Sequence, residues 1–263
     1  MNIERLRNIL SYNEKHSQDM KDTLKVFCQK LGIDSFDDVR NILQIIRHVL
    51  SNQNLLAIQL PLKDKEIGGF IYRGDTFSYL VCNSALPVVT SNFAFCHELY
   101  HAFFPTKEET CAMQVDYFNT EEESMANYFA ANILMPETVF IKMFNKFKKE
   151  DDILTTVISL MSYFNAPFMA VFIRCYELKL YTESSINPEY LNIEQKVIEK
   201  KFEELWFNSE ILKPSNIDDS SKLKILISER GNEYIEKQYI NKRTLDVIMK
   251  NLDTLLSQVK AGE

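Results

Sequence analysis

Histidine occurs only four times in this 263-residue chain, so two of them in one short segment carry weight. Glycine (6) and proline (7) are also few. A β-sandwich built on tight turns needs more of both, and long helices are expected instead. An excess of positive charge is missing as well: 30 Lys and Arg face 37 Asp and Glu, a net charge of −7. That balance argues against direct nucleic-acid binding and against an anionic membrane surface. There is no apolar run of the roughly 18 residues that a membrane-spanning helix needs. Met1 to Arg5 leads into charged residues without the apolar stretch of a secretory leader. No membrane partner is expected, and a cytoplasmic location fits. The five cysteines, Cys28, Cys82, Cys96, Cys111 and Cys175, are odd in number and lack a Cys-x-x-Cys pair. A disulfide framework is therefore not expected; most of these thiols should be small buried hydrophobes in reducing surroundings.

What is present is the composition of an ordinary globular protein, 46% apolar and 25% charged, with length enough for a sizeable core. Ile3, Leu6, Ile9 and Leu10, then Met20, Leu24, Phe27 and Leu31, recur at helical spacing, and Gly32 stands where a helix would stop. Ser35 with Asp38 opens a further amphipathic helix that reaches Leu50. His16 and His48 sit among polar neighbours and are expected to be solvent-exposed. From Leu55 the pattern changes to strands: Leu55–Leu60, Gly68–Tyr72 and Phe77–Cys82, with Gly74 and Asp75 suited to a hairpin turn. A small antiparallel sheet is expected there. Thr90 or Ser91 is the expected N-cap of the next helix, which runs to about Phe104, before Pro105.

That helix holds Phe95-Cys96-His97-Glu98-Leu99-Tyr100-His101, a His-Glu-x-x-His pattern. Positions i and i+4 lie one turn apart on one face, so His97 and His101 can aim at a single point. Two imidazoles in that relation suit Zn2+, although another divalent metal is possible. Glu98 is placed to accept a proton from water that such an ion acidifies, and later to protonate a leaving amine. The rival reading is an ordinary buried helix with two hydrogen-bonded histidines.

The third ligand decides the class. A metzincin would continue His-x-x-Gly-x-x-His, but Phe104 and Lys107 stand at those last two places. A carboxylate from the following helix is the remaining common solution, with Glu121, Glu122 and Glu123 as candidates and Glu108, Glu109 and Asp116 nearer the first helix. Cys111 is a further donor. Glu123 has a competing explanation, because Thr120-x-x-Glu123 is also a capping box. Cys96, beside His97, raises redox gating of the metal as a possibility against inert burial.

The second helix adds a signature. Glu123-Ser-Met-Ala126-Asn127-Tyr-Phe129-Ala130-Ala131-Asn-Ile-Leu134-Met135-Pro136 resembles the E-x-x-A-N-x-F-A-A-x-L-L-M-P motif of the ImmA/IrrE metallopeptidases, which have gluzincin-like sites. The likeness covers roughly Gly68 to Leu180. It departs at Ile133, in place of the first Leu of the pair, and at Tyr100, where Gly is frequent. The resemblance implies that His97, His101 and Glu123 are zinc ligands, that Glu98 is the general base, and that Asn127 orients a ligating group. It implies an α+β, mainly helical fold, with the small antiparallel sheet on a zincin-like helical core and helical extensions at both ends. The expected regions are 1–53, helical; 54–183, a zinc metallopeptidase domain; and 184–263, helical. The last of these, from Leu191 on, carries 12 basic and 13 acidic residues, interspersed as on a solvated helical surface.

Members of that family are similar to switches that cut a partner repressor after stress or mobile-element induction. The resemblance therefore implies an endopeptidase whose substrate is a cognate repressor or other regulatory protein. The alternative is a non-hydrolytic metal-binding regulator acting through protein–protein contact. Many members carry a DNA-binding helix-turn-helix before the peptidase; Met1 to Leu50 has no clear basic recognition helix, so DNA binding does not carry over. Both helical flanks are candidates for docking a partner.

Overall fold

The computed structural model describes residues 1–36, 42–51, 55–73, 78–104, 120–149 and 152–261. Helix α1 (Ile3–Lys15) is capped by Asn2, whose side chain accepts from the Arg5 main-chain N–H at 2.8 Å. Helix α2 (Ser17–Leu31) ends at Gly32, at φ +67°, a left-handed conformation that glycine adopts without strain. Helix α3 (Ile42–Ser51) follows; Ser35 and Phe36 precede it in non-helical backbone, and Asp38 lies outside the described residues.

Strands β1 (Leu55–Leu60), β2 (Gly69–Arg73) and β3 (Ser78–Asn83) form one sheet in the order β1-β3-β2. The β2–β3 pair is antiparallel, as expected of a hairpin, although its turn at Gly74 and Asp75 lies outside the described residues. The pairing of β1 with β3 is parallel, from Leu55 opposite Ser78 to Leu60 opposite Asn83. The sheet is thus mixed rather than antiparallel. The cause is the connection after β1, which carries the chain to the far edge and leaves a place for β3 in the middle. Asn83, fully buried, pins that crossover: its Oδ1 accepts from the Leu62 and Ala85 N–H groups, and its Nδ2 donates to the Asp64 and Ile67 carbonyls.

Helix α4 (Val88–Phe103) leaves β3 almost directly. It begins earlier than expected, with Pro87 as N-cap; the Ser91 hydroxyl instead donates to the Asn83 carbonyl at 2.6 Å. Helices α5 (Glu121–Leu134), α6 (Glu137–Phe147), α7 (Ile153–Phe164), α8 (Phe168–Glu177) and α9 (Gln195–Glu204) complete the main body. Its core is continuous from Leu6, Met20 and Phe27 through Phe95, Leu99 and Phe129 to Phe172, Phe202 and Leu212. Within it, Arg174 is only 1% exposed; it pairs with Glu177 and donates to Asn132 Oδ1 at 2.9 Å. Asn13 Nδ2 donates to the same Glu177 at 2.9 Å, so this buried polar network ties α1, α5 and α8 together.

Helices α10 (Ser220–Glu236) and α11 (Lys242–Ala261) fold back on each other, with Lys260 bonded to Asp218 and Ser220 across the open end. Strand alternation sends Leu80 and Cys82 into the main core and Val81 to the opposite face. There Val81, Ile58 and Leu60 meet Leu223, Leu252 and Leu256 of the hairpin in a second, smaller core. Among the described residues no single helix is long and apolar enough to cross a membrane; α7 and α8 are apolar, but they meet at 111°.

Candidate metal centre

His97 and His101 occupy successive turns of α4, and Glu123 occupies the first turn of α5. The two helices approach closely because α5 turns Ala126 and Ala130, both without exposed surface, toward its neighbours. Glu123 places one carboxylate oxygen 3.0 Å from His97 Nε2 and the other 3.2 Å from His101 Nε2. The two Nε2 atoms are 3.3 Å apart. All three side chains are 12–15% exposed, so the group is sheltered yet reachable from solvent.

The capping question has a specific answer. Thr120 is the N-cap of α5, and its hydroxyl accepts from the Glu123 main-chain N–H at 3.2 Å. The Glu123 carboxylate meanwhile faces the histidines with both oxygens. Capping by the main chain therefore leaves the Glu123 carboxylate free to face the histidines.

The remaining ring nitrogens are held from behind. His97 Nδ1 lies 3.0 Å from Asn127 Oδ1, and His101 Nδ1 lies 3.1 Å from Glu122 Oε1. With Nδ1–H donating to these acceptors, each Nε2 lone pair points at the common centre. Two imidazole nitrogens, each backed in this way, and a carboxylate fit a divalent ion that leaves a coordination position open, as catalytic zinc does. Among the described residues, His97, His101 and Glu123 are the group able to hold a metal.

Electrostatics point the same way. Burial alone would raise Glu123, but hydrogen bonds from His101 and His97 hold its carboxyl down at about 2. Burial works against a charged His101, and Glu123, Glu98 and Glu122 outweigh it, so its imidazole lies above the ordinary value. For Glu98, burial dominates and pushes the carboxyl up, against the pull of His97 and His101. Glu98 sits against β2, where Gly69 makes room: a Cβ there would stand 3.0 Å from Glu98 Cγ and 2.8 Å from the Val81 carbonyl oxygen.

The other sequence candidates fall as follows. Tyr100 packs on Phe104 and Phe129 at 5.6 Å and meets the His101 ring edge-on at 5.8 Å. Glu121 points away from the histidines, toward His16. Glu108, Glu109, Cys111 and Asp116 lie outside the described residues. His48 is exposed, as expected, but His16 is not: its side chain is 13% exposed, tilted against the Tyr12 ring at the α1–α2 junction. Burial pushes the Cys82, Cys96 and Cys175 thiols up, away from the reactive thiolate. Sequence reasoning considered Glu122 only as a ligand and did not single out Gly69 or Tyr12; no spacing rule marks any of the three.

A His-Glu-x-x-His helix whose histidines meet a glutamate from the next helix defines a zincin-like site. Residues 51–176 match the family model of Peptidase_M78, the IrrE N-terminal-like domain, which is a metallopeptidase-type domain. No curated protein and no solved structure matches the chain. Helices α1, α2 and α9 to α11 lie outside the matched stretch.

Proposed function

We propose that this protein is a zinc-dependent endopeptidase that hydrolyses a peptide bond in one cognate regulatory protein, a transcriptional repressor by the family resemblance. The observation that carries the hydrolytic reading is the convergence of His97, His101 and Glu123 with the buried carboxyl of Glu98 beside them. An ion bound there would supply Lewis acidity, polarising the scissile carbonyl and lowering the pKa of water. Glu98, shifted upward by burial, is the base that takes the proton from the attacking water and returns it to the leaving nitrogen. Glu122 and Asn127 hold the two imidazoles in the tautomer that faces the centre. Strand β2 is the sheet edge next to Glu98, and among the described residues no strand pairs with its outer side. It offers main-chain groups to an extended peptide, which suits cleavage of an unfolded or loop segment of the partner.

The test is co-expression with a candidate repressor, comparing the parent chain with Glu98→Gln. Cleavage by the parent and none by the variant, at equal zinc content, supports the proposal. Full biological output from Glu98→Gln would favour a regulator that acts by binding.

A further inference from the structure

Residues from outside the family match press on the first turn of α5. Tyr12 Oη donates to the main-chain carbonyl of Glu121 at 3.0 Å. His16 lies on the Tyr12 ring with centroids 4.4 Å apart; its Nδ1 is 3.1 Å from Asp19 Oδ2, and its Nε2 is 3.6 Å from Glu121 Oε1. That Nε2 is buried and has no hydrogen-bond partner among the described residues, with the Glu121 carboxylate just beyond hydrogen-bond distance. At the end of α4, Lys30 donates from Nζ to the Phe103 carbonyl at 3.2 Å and covers the rings of Phe103 and Phe104. Between these two contacts the fully buried Phe27 meets Phe103 at 4.9 Å and Phe129 at 5.1 Å, edge-on to both. Helices α1 and α2 therefore hold the last turn of α4, which carries His101, and the first turn of α5, which carries Glu122 and Glu123.

The Glu121 carbonyl is the natural target for such a clamp. In an α-helix it accepts from the N–H four residues on, and a second donor on its other lone pair fixes how that first turn is rotated. The next two side chains along the turn are the Glu122 that backs His101 and the Glu123 that faces both histidines. Metal affinity depends on ligand placement to within a few tenths of an ångström. Burial, with the Glu121 carboxylate beside it, pushes the Tyr12 hydroxyl up to about 12, so it remains a donor at neutral pH.

We propose that Tyr12 and His16 are positioning residues for the metal centre: they fix the first turn of α5 and thereby set where Glu122 and Glu123 stand against the histidines. This rests on the metallopeptidase reading above and extends it to a part of the chain that the family match leaves out.

The experiment is a zinc affinity measurement on the full chain by competition with a chromogenic chelator, with thermal melting of the metal-free protein alongside. Tyr12→Phe removes one hydroxyl and keeps the ring under His16. It should weaken zinc binding about tenfold while the metal-free melting temperature stays near that of the parent. His16→Gln should act in the same direction. With Glu122 and Glu123 both replaced by Ala, Tyr12→Phe should weaken binding no further, because the groups it positions are gone. Unchanged affinity in both Tyr12→Phe and His16→Gln overturns the proposal. So does an equal loss in the background lacking Glu122 and Glu123, or a loss that simply tracks a fall in metal-free stability. A parent chain that binds no zinc is a different result, since it removes the metallopeptidase reading itself.

Discussion

Glu122 stands 3.1 Å from Nδ1 of His101, on the ring nitrogen opposite the one that faces Glu123. Asn127 holds the equivalent place behind His97, at 3.0 Å. One histidine is thus backed by a carboxylate and the other by a neutral amide. A carboxylate behind the ring makes the far nitrogen a stronger donor, so His101 should contribute more to metal affinity than His97 does. Replacing Glu122 by Gln keeps an acceptor but removes the charge, and zinc affinity should fall about tenfold. Asn127→Ala removes the acceptor altogether and should cost a comparable factor. Chelator competition measures both; an unaltered affinity for Glu122→Gln would separate this carboxylate from the site.

Glu98→Gln tests the chemistry apart from the metal. The amide has nearly the same shape, so it should leave the histidines and Glu123 undisturbed, and zinc content should match that of the parent. Without a group to accept the proton from water, cleavage should slow by about 10² to 10⁴, the range that a general base commonly contributes. Single-turnover cleavage of a purified partner, with metal analysis of the same sample, gives both numbers. Loss of zinc together with activity would mean that Glu98 supports the site rather than the reaction.

Gly69 makes a third prediction, concerning the space that Glu98 occupies. A methyl group at this position would stand 2.8 Å from the Val81 carbonyl oxygen and 3.0 Å from Glu98 Cγ. The carbonyl belongs to the central strand and cannot yield, so either β2 shifts or Glu98 turns away. Gly69→Ala should destabilise the fold by about 1–3 kcal/mol, as overpacking does, and reduce cleavage with zinc affinity largely kept. Parental activity in this variant would show that Glu98 tolerates displacement.

How much of this was legible before the structure depends on which residues are compared. His97, Glu98 and His101 were legible because helical spacing alone puts the histidines on one face. Glu123 was left open by spacing alone, since Thr120-x-x-Glu123 satisfies a cap and a ligand equally, and it was the family signature that singled it out as a ligand; in the fold its N–H meets Thr120 while its carboxylate faces the histidines. The parallel pairing of β1 was invisible because alternation of apolar residues is the same for either strand sense. His16 misled for a related reason. Its sequence neighbours, Lys15 and Ser17, are polar, whereas its spatial neighbours are the Tyr12 ring and Glu121.

Cys96 adjoins His97, yet its thiol has no exposed surface and burial pushes it up, as it does for Cys82 and Cys175. A thiol, whose ordinary value already lies above neutral, remains protonated and poorly nucleophilic near neutral pH when burial raises it further. Brief treatment of the native protein with iodoacetamide at neutral pH should leave Cys82, Cys96 and Cys175 unlabelled, and denaturant should expose all three. Mass spectrometry of the peptides reads this directly. Rapid native labelling of Cys96 would revive redox control of the centre.

The last prediction concerns the α10–α11 hairpin, which rests on a core of its own. Leu256 packs with Ile58, Leu60 and Val81 on the sheet face turned away from the main core, and Gly231 lets α11 approach α10, since a Cβ there would lie 2.3 Å from Leu245 Cδ1. Two hydrogen bonds, Gln59 N–H to the Asp219 carboxylate and Asp219 N–H to the Gln59 carbonyl, both 2.9 Å, tie the hairpin to β1. Leu256→Ala removes most of a buried side chain from this small cluster, a change that typically costs about 2–5 kcal/mol. Because the cluster is separate from the core under α4 and α5, the loss should appear first as local opening. Hydrogen exchange followed by mass spectrometry should show lost protection in α10 and α11 with α4 and α5 unchanged, and zinc affinity should be retained. Equal loss of protection in α4 and α5 would show instead that hairpin and metal centre unfold as one cooperative unit, and any partner docking on the hairpin would then act directly on the site.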